Sequence, residues 1–171
     1  MPVETRIVIR AAEPDDCEAI AEIYNQGIRA RIATFEDQER TAEDRRAWLA
    51  AHGPEHPVLV AVINDRVVGW AATEGYRPRA CYAGIGEFSI YIHEEARGRG
   101  VGITLLNGLI DAAARAGLWK LLSRVFVENS ASRALCLKAG FREVGVYEKH
   151  AQLDGVWRDV VIVERLLGAR D

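Results

Sequence analysis

Hydrophobic positions recur at every second residue in some segments of the chain and at every third or fourth residue in others. These two periods predict strands and helices, respectively. Alternation over residues 6–10 predicts a first strand, whereas apolar positions at helical spacing after Pro14 predict a first helix. Short apolar runs bounded by turn-forming residues predict the other strands. The predicted strands cover residues 6–10, 58–63, 67–72, 84–92, 121–127, 141–147 and 156–163, and the predicted helices cover residues 14–28, 41–49, 103–116 and 130–139.

Turn and cap residues support these boundaries. Asn64, Asp65 and Arg66 separate two apolar runs and predict the turn of a hairpin. Thr41 and Asp44 have the spacing of a capping box at a helix start. The resulting order, β-α-α-β-β-β-α-β-α-β-β, predicts one α/β domain with a mixed sheet over residues 1–171.

A glycine-rich hexamer, Arg97-Gly98-Arg99-Gly100-Val101-Gly102, lies between a predicted strand and a predicted helix. Glycines permit a tight turn and a close approach to a ligand, and the free N–H groups of a helix N-terminus attract anions. The hexamer therefore predicts a phosphate site. Its spacing differs from the dinucleotide and nucleoside-triphosphate loops. A strand-to-helix turn without any ligand is the alternative.

Composition narrows the class of protein. A net charge of −3 and a pI near 5.9 argue against a nucleic-acid partner bound through a broad basic face. No apolar segment has the length of a membrane span or of a signal-peptide core, so we expect a cytoplasmic protein with no membrane partner. The three cysteines and four histidines are scattered without ligand spacing, so we expect no metal.

Two motifs resemble those of the GNAT acetyltransferases. Arg97, Gly100 and Gly102 form R-x-x-G-x-G, which resembles the acyl-CoA pyrophosphate loop of that family. Residues 129–132, followed by Leu135 and residues 139–141, resemble its N-x-x-S-x-x-L...GF segment. The resemblance implies the GNAT acyl-CoA N-acyltransferase fold, a mixed central sheet flanked by about four helices, with acetyl-CoA as co-substrate.

The resemblance also implies a set of cofactor contacts. Asn129 would hold the pantetheine amides and Ser132 would lie near the phosphate end. The alternative is that Asn129 or Ser130 simply caps the helix. The strand before the hexamer would offer backbone groups to the pantetheine arm, in addition to packing its side chains in the core. The implied cofactor-binding residues are Ile90, Tyr91, Ile92, Arg97, Gly98, Arg99, Gly100, Val101, Gly102, Ile103, Asn129 and Ser132.

Four segments, residues 32–36, 76–79, 87–92 and 155–159, are similar to those of phosphinothricin and methionine sulfoximine acetyltransferases. The tail, residues 147–165, is similar to an arsinothricin-resistance subgroup. The implied reaction is acetylation of the α-amino group of a glutamate-like toxic amino acid, a small-molecule substrate, which gives resistance. Acetylation of another amine, either a peptide N-terminus or a polyamine, and non-catalytic sensing of acyl-CoA are the alternatives.

The same resemblance assigns the reacting groups. Glu87 would accept the ammonium proton, and an apolar setting beside Phe88 and Ile90 would strengthen it as a base. Without the family context, a solvated surface glutamate is the alternative.

Two further contacts with the substrate are implied. Arg77 and Arg79 would bind an acidic substrate, since guanidinium groups bind carboxylates in a bidentate manner. A solvated basic turn is their alternative. Phe35 would close the apolar side of the pocket, and plain core packing is its alternative.

Cys136 lies where many acetyltransferases carry a tyrosine and the phosphinothricin enzymes a histidine. It is either a proton donor to the departing thiolate or a small buried apolar residue. Residues 157–159 would close either the pocket or a dimer contact, since the family commonly forms homodimers around its C-terminal strands.

Overall fold

The computed structural model describes residues 5–168, so both ends of the predicted domain, residues 1–4 and 169–171, lie outside the described residues. The strands are β1 (Val8–Ala11), β2 (Val58–Ile63), β3 (Arg66–Gly75), β4 (Ile85–Ile92), β5 (Lys120–Phe126), β6 (Arg142–Leu153) and β7 (Val156–Leu166). The α-helices are α1 (Cys17–Ala30), α2 (Ala42–Ala50), α3 (Val101–Arg115) and α4 (Ser130–Lys138).

The seven strands form one sheet in the order β1-β2-β3-β4-β5-β7-β6. Every neighbouring pair is antiparallel except β4 and β5, which are parallel. The predicted α/β architecture, a mixed sheet with four helices, is therefore confirmed. The parallel ladder is short, since it joins Ile85 to Lys120, Gly86 to Leu121 and Glu87 to Leu122 and then ends.

Each face of the sheet carries its own hydrophobic core. Side chains of α3 and α4 pack on one face with Phe88 and Ile90 of β4. Side chains of α1 and α2 pack on the other face with Trp70 and Tyr91. Because successive side chains of a strand point to opposite faces, Glu87 lies on the α1 face, away from Phe88 and Ile90.

Local sequence explains several element boundaries. The Thr41 hydroxyl accepts a hydrogen bond from the Asp44 N–H, and the Asp44 carboxylate accepts one from the Thr41 N–H, both at 3.1 Å, which confirms the predicted capping box. Asn64 and Asp65 have φ angles of 48° and 60°, as a two-residue hairpin turn requires. Arg66, predicted in that turn, is instead the first residue of β3, because two left-handed residues suffice to reverse the chain.

The C-terminal hairpin is longer than predicted. Its strands run to Leu153 and Leu166 and are joined by Asp154 and Gly155, whose φ angles are 51° and 75°. The ladder is irregular between Tyr147 and Ala151, where polar residues 148–150 interrupt the alternation. That interruption is why the hydrophobic pattern alone predicted too early an end for β6.

Within residues 5–168, no helix is both long enough and apolar enough to cross a membrane. The same residues contain no group of three or more histidine, cysteine, aspartate or glutamate side chains placed to hold a metal ion.

Candidate active site

Two cavities meet at the gap where β4 and β5 separate. Beyond the last ladder pair, Ser123 on β5 donates its hydroxyl to the Phe88 carbonyl at 2.8 Å, and the strands then diverge. One cavity, of 440 Å³, contains three glutamates in its wall, and we call it the carboxylate cavity. The other, of 380 Å³, runs along the glycine-rich loop, and we call it the glycine groove. The residues that line both are Ala33, Ile90, Tyr91, Asn129 and Ser132.

The glycine groove ends at the N-terminus of α3. Gly98 and Gly100 have φ angles of 71° and 80°, so the backbone conformation itself favours glycine at both positions. Gly100 is the N-cap of α3 and provides no side-chain cap, which leaves the first N–H groups of the helix available to an anion. Arg97 lines the groove beside them.

Two residues of the glycine-rich hexamer, Arg99 and Val101, do not line the glycine groove. The Val101 side chain is 1% exposed and belongs to the core, so only its backbone can contact a ligand. Arg99 is exposed and lies outside the groove lining. Gly102 and Ile103 both line the groove.

The β4 backbone supplies further polar groups at the gap. The Phe88 and Ile92 carbonyls accept hydrogen bonds on the β5 side, from Ser123 and from Arg97 Nε at 3.3 Å. Because backbone groups alternate along a strand, Ile90 also directs its N–H and C=O to that side. Tyr91 directs its own backbone groups toward β3, with which it pairs through Trp70. Tyr91 therefore lines the groove with its backbone groups directed to β3, which contradicts the prediction that they bind the pantetheine arm.

Asn129 and Ser132 lie on the wall shared by the two cavities. The Asn129 Oδ1 accepts a hydrogen bond from the Ser132 N–H at 3.2 Å, so Asn129 is the N-cap of α4. The cap occupies the oxygen of the side chain, and its amide nitrogen remains available as a donor. Capping and ligand contact are therefore compatible for this residue.

Glu87 lies in the wall of the carboxylate cavity and is ion-paired. Arg124 on β5 donates from Nε at 2.9 Å and from Nη2 at 2.6 Å, both to Glu87 Oε1. The Glu87 side chain is 26% exposed. The expected apolar setting beside Phe88 and Ile90 is therefore wrong, because the alternation of the strand turns those two side chains to the other face.

Of the predicted substrate contacts, Phe35 lies in the lining of the carboxylate cavity, whereas Arg77 and Arg79 do not. Phe35 lines the carboxylate cavity, and its ring packs edge-on against Phe126 with the centroids 4.6 Å apart. Arg77 and Arg79 are exposed on the connection between β3 and β4, outside the lining of both cavities. The Arg77 guanidinium lies 5.0 Å from the centroid of the Tyr76 ring.

Cys136 of α4 lines the carboxylate cavity and is 2% exposed. Burial, with a smaller contribution from the charge of Glu143, raises the pKa of the Cys136 thiol to about 11. The ordinary pKa of a cysteine thiol is 9.0. Cys136 is thus a weaker acid than an ordinary thiol, which favours the packing role over donation of a proton to a departing thiolate.

Several lining residues were missed at the level of sequence. Arg124 and Ser123 follow the part of β5 that pairs with β4, and Glu74 is the register partner of Glu87 on β3. Only the strand register, which the sequence does not reveal, brings them to the site. Lys138 of α4 also lines the glycine groove, and its place one helical turn past Leu135 of the motif was a usable signal. The missed lining residues with polar or charged side chains are Thr34, Glu36, Glu74, Ser89, Ser123, Arg124 and Lys138.

The glycine groove fits a long ligand that carries phosphates at one end. Backbone donors and Arg97 lie at the α3 end, Ile90 lies in the middle, beyond the last pair of the β4–β5 ladder, and apolar side chains such as Ile103 line the walls. This sequence of contacts suits the pyrophosphate and the amide-containing arm of acetyl-CoA. The groove leads into the carboxylate cavity, where Glu87 lies.

Comparison with known proteins agrees with this geometry. A family model described as the acetyltransferase (GNAT) domain matches residues 6–142. The chain is 32% identical to a phosphinothricin N-acetyltransferase of Streptomyces coelicolor over 171 residues, which is 98% of this chain and 100% of that protein. It is 31% identical to an L-methionine sulfoximine/L-methionine sulfone acetyltransferase of Salmonella typhimurium, over 92% of this chain and 93% of that protein.

Among solved structures, yncA from Salmonella typhimurium, determined with its cofactor acetyl-CoA, superposes with a TM-score of 0.91 at 31% identity. The match covers 96% of this chain and 95% of that one. Fold, site geometry and sequence similarity therefore agree that this chain is an acetyltransferase and belongs to the GNAT family.

Proposed function

We propose that this protein transfers the acetyl group of acetyl-CoA to the α-amino group of a glutamate-like amino acid, either phosphinothricin, methionine sulfoximine or sulfone, or arsinothricin. The observation that carries the proposal is the junction of the two cavities at the gap between β4 and β5. The glycine groove, which has Arg97 and the N-terminus of α3 at one end, opens there into a cavity whose wall contains the Glu87 carboxylate. Acetyl-CoA, when bound, supplies a thioester as the acyl donor.

In this proposal the groove residues bind and orient the donor. The N–H groups at the start of α3, together with Arg97, bind the pyrophosphate. Ile90 and the Asn129 amide bind the amides of the pantetheine arm. The Ile90 N–H polarises the acetyl carbonyl, because Ile90 lines both cavities, whereas Ile92 lines only the glycine groove and lies beside Arg97.

Glu87 takes a proton from the substrate ammonium, directly or through water, because a neutral amine is needed as nucleophile. The new N–C bond forms as the C–S bond breaks. Overall the ammonium loses two protons, of which one goes to Glu87 and then to solvent, and the other to the released thiol. Water or the ammonium provides the second proton, since the raised pKa of Cys136 argues against that side chain.

The substrate class rests on the similarity to enzymes named for phosphinothricin and for methionine sulfoximine. Arsinothricin is included because of the resemblance of residues 147–165. Acetylation removes the ammonium charge of such glutamate mimics, which would abolish their recognition and give resistance.

A cationic amine is the second candidate substrate, and one observation favours it. Glu36, Glu74 and Glu87 all line the carboxylate cavity. Arg77 and Arg79, which would oppose a polyamine, lie outside that lining. The two candidates differ in whether the carbon that carries the amine also carries a carboxylate.

The test of the proposal is release of CoA thiol by the purified protein with a panel of amines. The panel contains phosphinothricin, methionine sulfoximine, arsinothricin, glutamate, spermidine and a short peptide. We expect saturable turnover with the first three and little with the others. Turnover with spermidine or the peptide alone would replace the proposed substrate class with the second candidate.

Glu87→Gln separates an enzyme from an acyl-CoA sensor. We expect kcat to fall about 10²–10⁴-fold, the usual contribution of a general base, while acetyl-CoA binding is retained. Glu164→Gln is the matched control, because Arg142 binds Glu164 Oε1 through Nε and Nη2 as Arg124 binds Glu87 Oε1, but outside both cavities. Binding without turnover in the unmodified protein would favour the sensor instead.

A homodimer is part of the proposal. β6 is an edge strand of the sheet, and the hairpin that it forms with β7 exposes large apolar side chains. Edge strands and contiguous apolar surface are typical of interaction sites. The exposed residues are Val144, Val146, Tyr147, Val156 and Trp157.

A further inference from the structure

The ion pair of Glu87 and Arg124 has unused hydrogen-bonding capacity on both sides. Arg124 lies on β5 two residues past Leu122, the register partner of Glu87, so the two side chains lie on the same face of the sheet. Both Arg124 donors, Nε and Nη2, bind Glu87 Oε1. Within residues 5–168, no hydrogen bond is made to Glu87 Oε2 or by Arg124 Nη1.

A guanidinium carries five N–H donors in a planar fork. Two of them bind Glu87, which leaves the edge formed by Nη1 and Nη2 able to bind a second carboxylate in a bidentate manner. Glu87 Oε2 is similarly able to accept from an ammonium. The Arg124 side chain is 49% exposed and lines the carboxylate cavity, so a ligand can reach that edge.

The other charged residues of the carboxylate cavity favour contact of a ligand carboxylate with Arg124. Arg124 is the only cation among the described residues that line the carboxylate cavity. Glu36 is paired with Arg40 at 2.9 Å, and Glu74 accepts from Trp48 Nε1 at 2.8 Å. A ligand carboxylate in this cavity would be repelled by these acids unless it contacted Arg124.

We propose that Glu87 and Arg124 together form a receptor for the head group of an α-amino acid. Arg124 binds the α-carboxylate through its Nη1–Nη2 edge, and Glu87 Oε2 binds the ammonium carried by the same carbon. Arg124 thereby selects α-amino acids over simple amines, while its bond to Glu87 Oε1 holds the carboxylate in position. This inference rests on the proposed function, and it names the residue that would determine the substrate class.

The experiment compares two substrates that differ only in the α-carboxylate, methionine sulfone and its decarboxylated amine. Both are assayed with the unmodified protein, Arg124→Gln and Arg124→Lys. For Arg124→Gln we expect kcat/KM with methionine sulfone to fall about 10- to 100-fold, mainly through KM, because hydrogen bonds to a charged group are lost. We expect a much smaller change with the amine. Arg124→Lys restores part of the loss, since it keeps the charge and loses the bidentate geometry.

Arg142→Gln is the matched control. Arg142 Nε and Nη2 bind Glu164 Oε1 at 3.0 and 2.5 Å, the same arrangement as in the Glu87–Arg124 pair, but outside both cavities. Its kinetics should match those of the unmodified protein. Circular dichroism of all three variants identifies any that fails to fold, and Arg124→Lys, which keeps the charge, serves if Arg124→Gln does not fold.

The outcomes distinguish this inference from the proposed function. If the unmodified protein acetylates methionine sulfone and Arg124→Gln slows both substrates equally, Arg124 only positions Glu87 and the receptor is refuted. Unchanged kinetics with both substrates would refute it as well. If the unmodified protein prefers the amine, the proposed function fails, and the receptor fails with it.

Discussion

At the scale of single residues, substitution of Cys136 distinguishes a packing role of this side chain from proton donation to the thiolate. Its thiol has a pKa raised to about 11 by burial. We expect Cys136→Ala to keep kcat within about tenfold of the unmodified protein, whereas loss of a general acid costs about 10²–10⁴-fold. Steady-state kinetics between pH 6 and 9 test this expectation. A loss of 10²-fold or more, in a variant that remains folded, would assign the proton to Cys136.

The raised pKa of Cys136 can also be tested by comparing the stability of Cys136→Ala and of the unmodified protein at alkaline pH. The folded thiol keeps its proton up to a pKa of about 11, whereas the ordinary value is 9.0. Between these values the unfolded chain binds fewer protons, so stability falls as pH rises. We expect the unmodified protein to lose about 2–3 kcal/mol more than Cys136→Ala between pH 8 and 11, measured by urea unfolding. Burial also raises the pKa of Tyr24, but that group is present in both proteins and its effect cancels in the difference.

At the scale of elements, the N-terminus of α3 has a backbone conformation that favours glycine and is also the proposed binding site of the acetyl-CoA phosphates. Gly100 has a φ of 80° at that helix end, and Gly117, beyond the other end of α3, has a φ of 92°. Alanine at either position costs about 1–2 kcal/mol, because an L-residue is strained in the left-handed region. Only Gly100→Ala also alters the N–H groups of the groove. We expect it to raise the KM for acetyl-CoA about tenfold, whereas Gly117→Ala should affect thermal stability alone.

If the KM for acetyl-CoA is the same in Gly100→Ala, Gly117→Ala and the unmodified protein, the proposed phosphate binding at the N-terminus of α3 is refuted. The comparison is informative because a Cβ at either glycine meets open space within the described residues. Any difference in KM therefore arises from the ligand and not from a clash inside the protein.

At the scale of the whole molecule, the two edges of the sheet differ in what they expose. The β6 edge carries Val146, which is 51% exposed, and the opposite edge carries Val8 on β1, which is 41% exposed. Substituting either residue by lysine adds a charge to an edge without emptying the core. We expect Val146→Lys to convert a dimer to a monomer and Val8→Lys to leave it intact, as measured by light scattering. A monomer before any substitution would exclude this assembly.

The order of elements followed from the sequence because hydrophobic period and turn chemistry are local properties. The capping box at Thr41 and the glycine loop before α3 are examples, and both were found where they were predicted. The exceptions are also local in origin. Polar residues 148–150 interrupt the alternation of β6, and the hydrophobic pattern therefore ended that strand too early.

The site was predictable only in part. The sequence by itself determined the family motifs, and with them the groove at α3, Asn129 at the start of α4 and Glu87 on β4. Only the tertiary structure brought Arg124 to Glu87 and left Arg77 and Arg79 outside the cavity lining. The reason is that a motif is a run of neighbours in the chain, whereas the meeting of Glu87 and Arg124 depends on strand register and on where the β4–β5 ladder ends.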